Sequence, residues 1–300
     1  MKLLSVSKIL FEDFLGIDGL DIHWYGVLIA TGFLLAFFLT NFFCKKRGYK
    51  KDLTADMLII CIIGAILGAR LYYVIFSWSH FYVPGDFGET FMNIINIRQG
   101  GLAIYGGIIG SIIGLSIYAF VKKINLLALL DVCAPSLALG QAIGRWGNFF
   151  NQEAHGSLVT DPDLQFFPYA VYLDNPAEKD IPVGWYQATF FYESIWCLII
   201  CVTLFFIFRK QKYTGQITLM YLALYGFERG IVEWLRTDQL KVFGMPVSAL
   251  LSIALCLIAT TILIILKVKK VENPLPYYKK GEAPISEQVE ATEEVPKEEN

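Results

Sequence analysis

Charged side chains are scarce in this 300-residue chain: Asp, Glu, Lys and Arg make up 17% of it, against 55% hydrophobic residues. A soluble domain carries about a quarter charged residues, so a water-soluble globule is excluded. Basic residues do not outnumber acidic ones, the net charge being −2, so there is no positive field for nucleic acid. Histidine occurs three times. The six cysteines, Cys44, Cys61, Cys133, Cys197, Cys201 and Cys256, all lie in apolar stretches without a CxxC pair or a histidine at metal spacing. They read as small apolar side chains, and neither a metal nor a cofactor is expected. No Ser–His or paired-Asp arrangement falls in facing apolar segments, which disfavours an intramembrane protease. The first 22 residues have too short an apolar core and too many acids for a cleaved signal peptide.

Long apolar runs are what the chain has in plenty. A membrane-crossing helix needs about 20 mostly apolar residues. The segments 24–44, 54–76, 101–121, 126–147, 187–208, 215–235 and 244–266 qualify. The fourth is interrupted by Asp131, Pro135 and Arg145, and the sixth carries Glu228, Arg229 and Glu233. Basic residues test the count. They cluster at 45–51, at Lys122 and Lys123, at 209–212 and at 267–270, after the first, third, fifth and seventh segments. The intervening loops hold Arg98 alone, Lys179 alone, and Arg236 with Lys241. Positive loops face the cytoplasm, so an all-α protein with seven spans, N-terminus outside and C-terminus inside, is expected.

The expected organisation is an extracytoplasmic segment over 1–22, a transmembrane catalytic domain over 23–270, and a disordered acidic tail over 271–300, too poor in aliphatic residues to build a core. Gly64 and Gly68 in the second span, and Gly106, Gly110 and Gly114 in the third, recur at four-residue spacing, which lets helices approach closely. No internal repeat is visible, which weakens an inverted-repeat transporter.

Ionisable groups at membrane depth are costly and mark function by default. Three clusters stand out, all toward the outer leaflet. His23-Trp24-Tyr25-Gly26 opens the first span and reads first as an interfacial aromatic belt. Gly144 to Gly156, closing the fourth span, places Arg145, Asn148, Asn151, Gln152 and Glu153 within nine residues. A snorkelling arginine accounts for Arg145 but not for the density of amides. In the sixth span, Tyr225, Arg229 and Glu233 stand at i, i+4 and i+8 on one helix face, as a structural ion pair or as part of a site. Arginine's planar fork matches phosphate. Arg145 and Arg229 could therefore clamp a phospholipid headgroup while amides and tyrosines bond its hydroxyls.

The run 144–156 reads G-R-x-G-N-F-x-N-x-E-x-x-G. It resembles, at every fixed position, the motif of the prolipoprotein diacylglyceryl transferases. HWYG (23–26), GARLYYV (68–74), GGLAIYGGIIG (100–110) and YGFERGIVEWLR (225–236) extend the resemblance over roughly residues 20 to 268. It implies a bacterial inner-membrane enzyme whose site faces the extracytoplasmic side. Such an enzyme moves the diacylglyceryl group of phosphatidylglycerol onto the lipobox cysteine of prolipoprotein signal peptides, releasing glycerol phosphate. Carried over residue by residue, it makes Arg145, Arg229, Glu153 and Glu233 catalytic, and Tyr105 is expected to join them at the place of a family histidine. It gives Tyr25, His23, Asn148, Asn151, Gly156 and Tyr225 to substrate binding. The chain departs from the family at two places, where many members carry histidine and this one has Tyr105 and Gln187. Either Tyr105 replaces a hydrogen-bonding histidine, or Glu153 or Glu233 takes the thiol proton. His155, at an unspecified motif position, is expected to be a solvated loop residue. A lipid-binding protein or flippase using the same arginines, and a scaffold in which they form internal ion pairs, are the alternatives.

Overall fold

The computed structural model describes residues 7–97, 100–177, 181–237, 241–242 and 245–273. In chain order the elements are β1 (Ile9–Phe11), β2 (Ile22–His23), α1 (Trp24–Lys46), α2 (Leu53–Phe76), α3 (Phe87–Ile95), α4 (Ile104–Val121) and α5 (Leu126–Asn151). There follow β3 (Ala170–Leu173), β4 (Gly184–Gln187), α6 (Thr189–Phe208), α7 (Gln216–Leu235), β5 (Lys241–Val242), β6 (Met245–Pro246) and α8 (Val247–Val268).

Among the described residues six helices, α1, α2, α4, α5, α6 and α8, are long and apolar enough to cross a membrane. The helix α7 coincides with the remaining expected span, but Glu228, Arg229 and Glu233 lie in it and it is not among those six. The all-α expectation is incomplete, because among the described residues β1–β2, β3–β4 and β5–β6 form three two-stranded antiparallel pairs. Strands of two to four residues are too short to show alternation in sequence. The segment 77–100, expected as a loop, contains α3, whose start is capped by Asp86 accepting from the Glu89 amide at 2.8 Å. Apart from residues 271–273, the expected acidic tail lies outside the described residues.

The described residues divide into two compact units, one of residues 7–43 and 130–273, the other of 44–129. In the second unit, α2 packs on α4 through the spaced glycines. A methyl group on Gly64 would come within 2.5 Å of the Gly110 carbonyl oxygen, and one on Gly68 or Gly106 would strike the other's carbonyl oxygen. Ser111 Oγ donates to the Cys61 carbonyl at 3.0 Å, and Tyr118 OH to Asp56 Oδ2 at 2.8 Å. The Arg70 guanidinium donates to the carbonyls of Asn93, Ile94, Asn96, Gly100 and Gly101 at 2.7–2.9 Å, holding the approach to α4.

In the first unit α5, α6 and α7 are laced side by side. Asp131, 2% exposed, accounts for one interruption of the fourth apolar run. Its carboxylate accepts from the Gly215 and Thr218 amides at 2.6 and 2.8 Å, and from Gln211 Nε2 at 2.5 Å, closing the N-terminus of α7. Farther along, Tyr221 OH donates to Gln141 Oε1 at 2.9 Å. Trp146 Nε1 donates to Ser194 Oγ at 3.1 Å, and Trp196 Nε1 to the Leu224 carbonyl at 3.0 Å.

Candidate active site

With the starts of α5 and α7 joined at Asp131, their later turns come together as well. Arg145 Nη2 lies 2.6 Å from Glu193 Oε2, and Arg229 Nη1 lies 2.9 Å from the same oxygen. Arg229 Nη2 reaches Glu233 Oε2 at 2.5 Å, as the i, i+4 spacing predicts. Arg236 Nη1 stands 3.9 Å from the other oxygen of Glu193. The Glu193 side chain is 1% exposed. Two guanidiniums from separate helices thus converge on one carboxylate oxygen in a nearly dry setting, where charges act strongly on each other.

The chain after α5 adds a second carboxylate. Gln152 adopts a left-handed conformation (φ 54°) and the Glu153 amide donates back to the Asn148 carbonyl at 3.1 Å. This reversal returns Glu153 to the helix end, where Asn148 Nδ2 and Asn151 Nδ2 donate to its Oε1 at 3.0 and 3.1 Å. Asn148 Oδ1 accepts from Arg145 Nη1 at 3.4 Å. The amides of the motif therefore connect Arg145 to Glu153.

Tyr25 packs on Gly147, where a methyl group would come within 2.7 Å of its ring, and Trp24 stacks on Phe150 with centroids 4.8 Å apart. The ring of Tyr225 stacks on Tyr221 at 5.5 Å, within electrostatic reach of Arg145, Glu193 and Arg229. Gly156 meets the fifth-span departure directly. Its amide donates to the Gln187 carbonyl at 3.0 Å, and a methyl group there would lie 2.7 Å from Gln187 Cβ. His23 is exposed and touches the Asp21 carbonyl at 3.3 Å. Tyr105 sits in the first turn of α4, in the other unit, half-exposed.

The expectation for His155 fails. It is 3% exposed, with Nδ1 3.0 Å from the Gly156 carbonyl and its ring 4.5 Å from that of Tyr186, because the β3–β4 hairpin folds over the segment. Glu193 and Arg236 escaped notice as site residues. Glu193 is the lone charge in the apolar run 187–208, and the rule that marked Arg145 applies to it equally.

An apolar groove of about 530 Å³ runs along α7 and α8, lined by Phe227, Gly230, Trp234, Leu235, Ile253 and Leu257. Hydrocarbon suits it, and a headgroup does not. Paired arginines, an amide-held carboxylate and neighbouring tyrosines can hold and neutralise an oxyanion.

A family model described as prolipoprotein diacylglyceryl transferase matches residues 13–265. A protein of Clostridium kluyveri named phosphatidylglycerol–prolipoprotein diacylglyceryl transferase is 43% identical over 236 residues, covering 79% of this chain and 89% of that protein. One of the same name from Clostridium botulinum is 42% identical over 237 residues, covering 79% and 89%. With the arginines, amides and carboxylates of its motif drawn together as described, the chain belongs to the prolipoprotein diacylglyceryl transferase family.

Proposed function

We propose that this protein transfers the diacylglyceryl group of phosphatidylglycerol to the lipobox cysteine of prolipoprotein signal peptides, in the bacterial inner membrane. The cysteine sulfur bonds to the glyceryl carbon that bears the phosphate. The C–O bond breaks, its electron pair moves onto the phosphate oxygen, and glycerol phosphate departs with the proton lost by the thiol. The observation that carries this reading is the convergence of Arg145 and Arg229 on one oxygen of Glu193. Preorganised cations in a dry site stabilise the charge that gathers on a departing phosphate.

Glu233 and Glu153 hold the cations and amides in register. Asn148, Asn151, Tyr25, His23, Tyr225 and Gly156 shape the site for lipid and peptide. Either Tyr105 serves as a hydrogen-bonding group in place of the family's histidine, or Glu153 or Glu233 takes the thiol proton and passes it to the departing phosphate. In this reading α7 also crosses the membrane, as the sixth of seven spans, with the N-terminus outside, the C-terminus inside and the site toward the extracytoplasmic face. Every basic cluster after an odd-numbered span supports that orientation.

Purified protein, phosphatidylglycerol and a lipobox peptide are expected to yield a diacylglyceryl thioether. Arg145→Ala and Arg229→Ala are each expected to lose about a hundredfold or more, since one such donor is worth roughly 3 kcal/mol. No thioether from the wild type, or full activity in Arg145→Ala, would defeat the proposal. One observation favours a second reading: each arginine already has a carboxylate partner, as an internal scaffold of ion pairs would need. That scaffold predicts unchanged affinity for phosphatidylglycerol in a folded Arg229→Ala protein, whereas the transferase predicts weakened binding.

A further inference from the structure

Glu228 has no part in the chemistry above. It precedes Arg229 on α7, one turn after Tyr225, and is 6% exposed. Neither of its carboxyl oxygens has a hydrogen-bond partner among the described residues. Buried polar groups nearly always have partners, and an ionised carboxylate left alone in a low-dielectric interior is costly enough that it neutralises instead. Around it, Arg145 from α5, Glu193 and Cys197 from α6, and Arg229 from its own helix act on it electrostatically. The helix α8, also packed on α7, contributes Cys256 and no charged side chain before Lys267. The two guanidiniums are already shared between Glu193 and Glu233.

We propose that Glu228 is kept as an uncharged carboxylic acid, and that its protonation sets the affinity of the Arg145–Arg229 pair for an anionic phosphodiester headgroup. Protonated, it leaves two guanidiniums balanced by the two carboxylates of Glu193 and Glu233, so no net negative charge meets a phosphate there. Ionised, it adds a third negative charge beside the same cations and repels the ligand. The identity of the lipid rests on the transferase reading; the charge balance does not.

The test is binding of short-chain phosphatidylglycerol to the purified full chain in detergent, from neutral to alkaline pH, in wild type and Glu228→Gln. Wild-type affinity is expected to fall about tenfold or more as Glu228 ionises, while Glu228→Gln keeps its neutral-pH affinity throughout. Infrared difference spectra of the wild type at neutral pH are expected to contain a protonated-carboxyl carbonyl band that the variant lacks. Glu228→Met, equally uncharged, carries the same expectation if the glutamine variant misfolds. Parallel binding profiles, a missing band, or no binding at any pH would overturn the proposal. Thioether formation is followed separately. Binding that titrates through Glu228 without product from the wild type sinks the transferase reading and leaves this one standing.

Discussion

At the scale of single residues, Glu193 Oε2 accepts from two guanidiniums that repel each other, so one carboxylate decides where both cations rest. Removing its charge leaves them to separate. Breaking a buried ion pair from one side typically costs about 3–5 kcal/mol. Glu193→Gln is therefore expected to lower the thermal unfolding temperature in detergent and to lose most thioether formation. A variant with wild-type stability and turnover would show that Arg145 and Arg229 are placed by other contacts. Arg145 and Arg229 were legible in the sequence because charge at membrane depth is rare. The role of Glu193 was not, because the partner of a charge is a property of facing helices.

Among elements, α2 and α4 show how far spacing alone reaches. Glycines four residues apart announced a close helix contact, and the two backbones meet at Gly64, Gly68, Gly106 and Gly110. Gly68→Ala and Gly106→Ala force a methyl group into a backbone oxygen that cannot turn aside, so each is expected to destabilise by about 1–3 kcal/mol or more. Gly107→Ala provides the contrast. Its added methyl would find nothing nearer than the Ala65 carbonyl oxygen at 3.5 Å, and it is expected to unfold within a degree or two of wild type. Equal melting of Gly106→Ala and Gly107→Ala would refute the close contact. The short element α3 and the three strand pairs were illegible for a different reason. They span too few residues for periodicity to rise above composition.

Over the whole molecule, α5 and α7 run in the same direction because they are joined at successive levels: Asp131 to Gly215 and Thr218, Gln141 to Tyr221, and Arg145 to Arg229 through Glu193. The register set at one end thus aligns the cations at the other. Asp131→Ala would remove the side-chain acceptor of the Gly215 and Thr218 amides and of the Thr218 hydroxyl, while Gln211 keeps its bond to the Tyr213 carbonyl; each group left unsatisfied costs about 1–3 kcal/mol. Both a lower unfolding temperature and a loss of thioether formation are expected, the second persisting at temperatures where the variant is fully folded. Full activity in the folded variant would separate the two ends. By itself the sequence determined the membrane class, the position of the long helices and the motif of the site, because hydropathy, charge and motif spacing are all properties of neighbours along the chain. Only the tertiary structure decided that Glu193 joins two arginines, that His155 is buried and that Glu228 has no hydrogen-bond partner among the described residues. Those pairings cross 36 residues from Arg229 to Glu193 and 84 from Gly215 to Asp131, and helical periodicity says which residues share a face but not which face lies opposite.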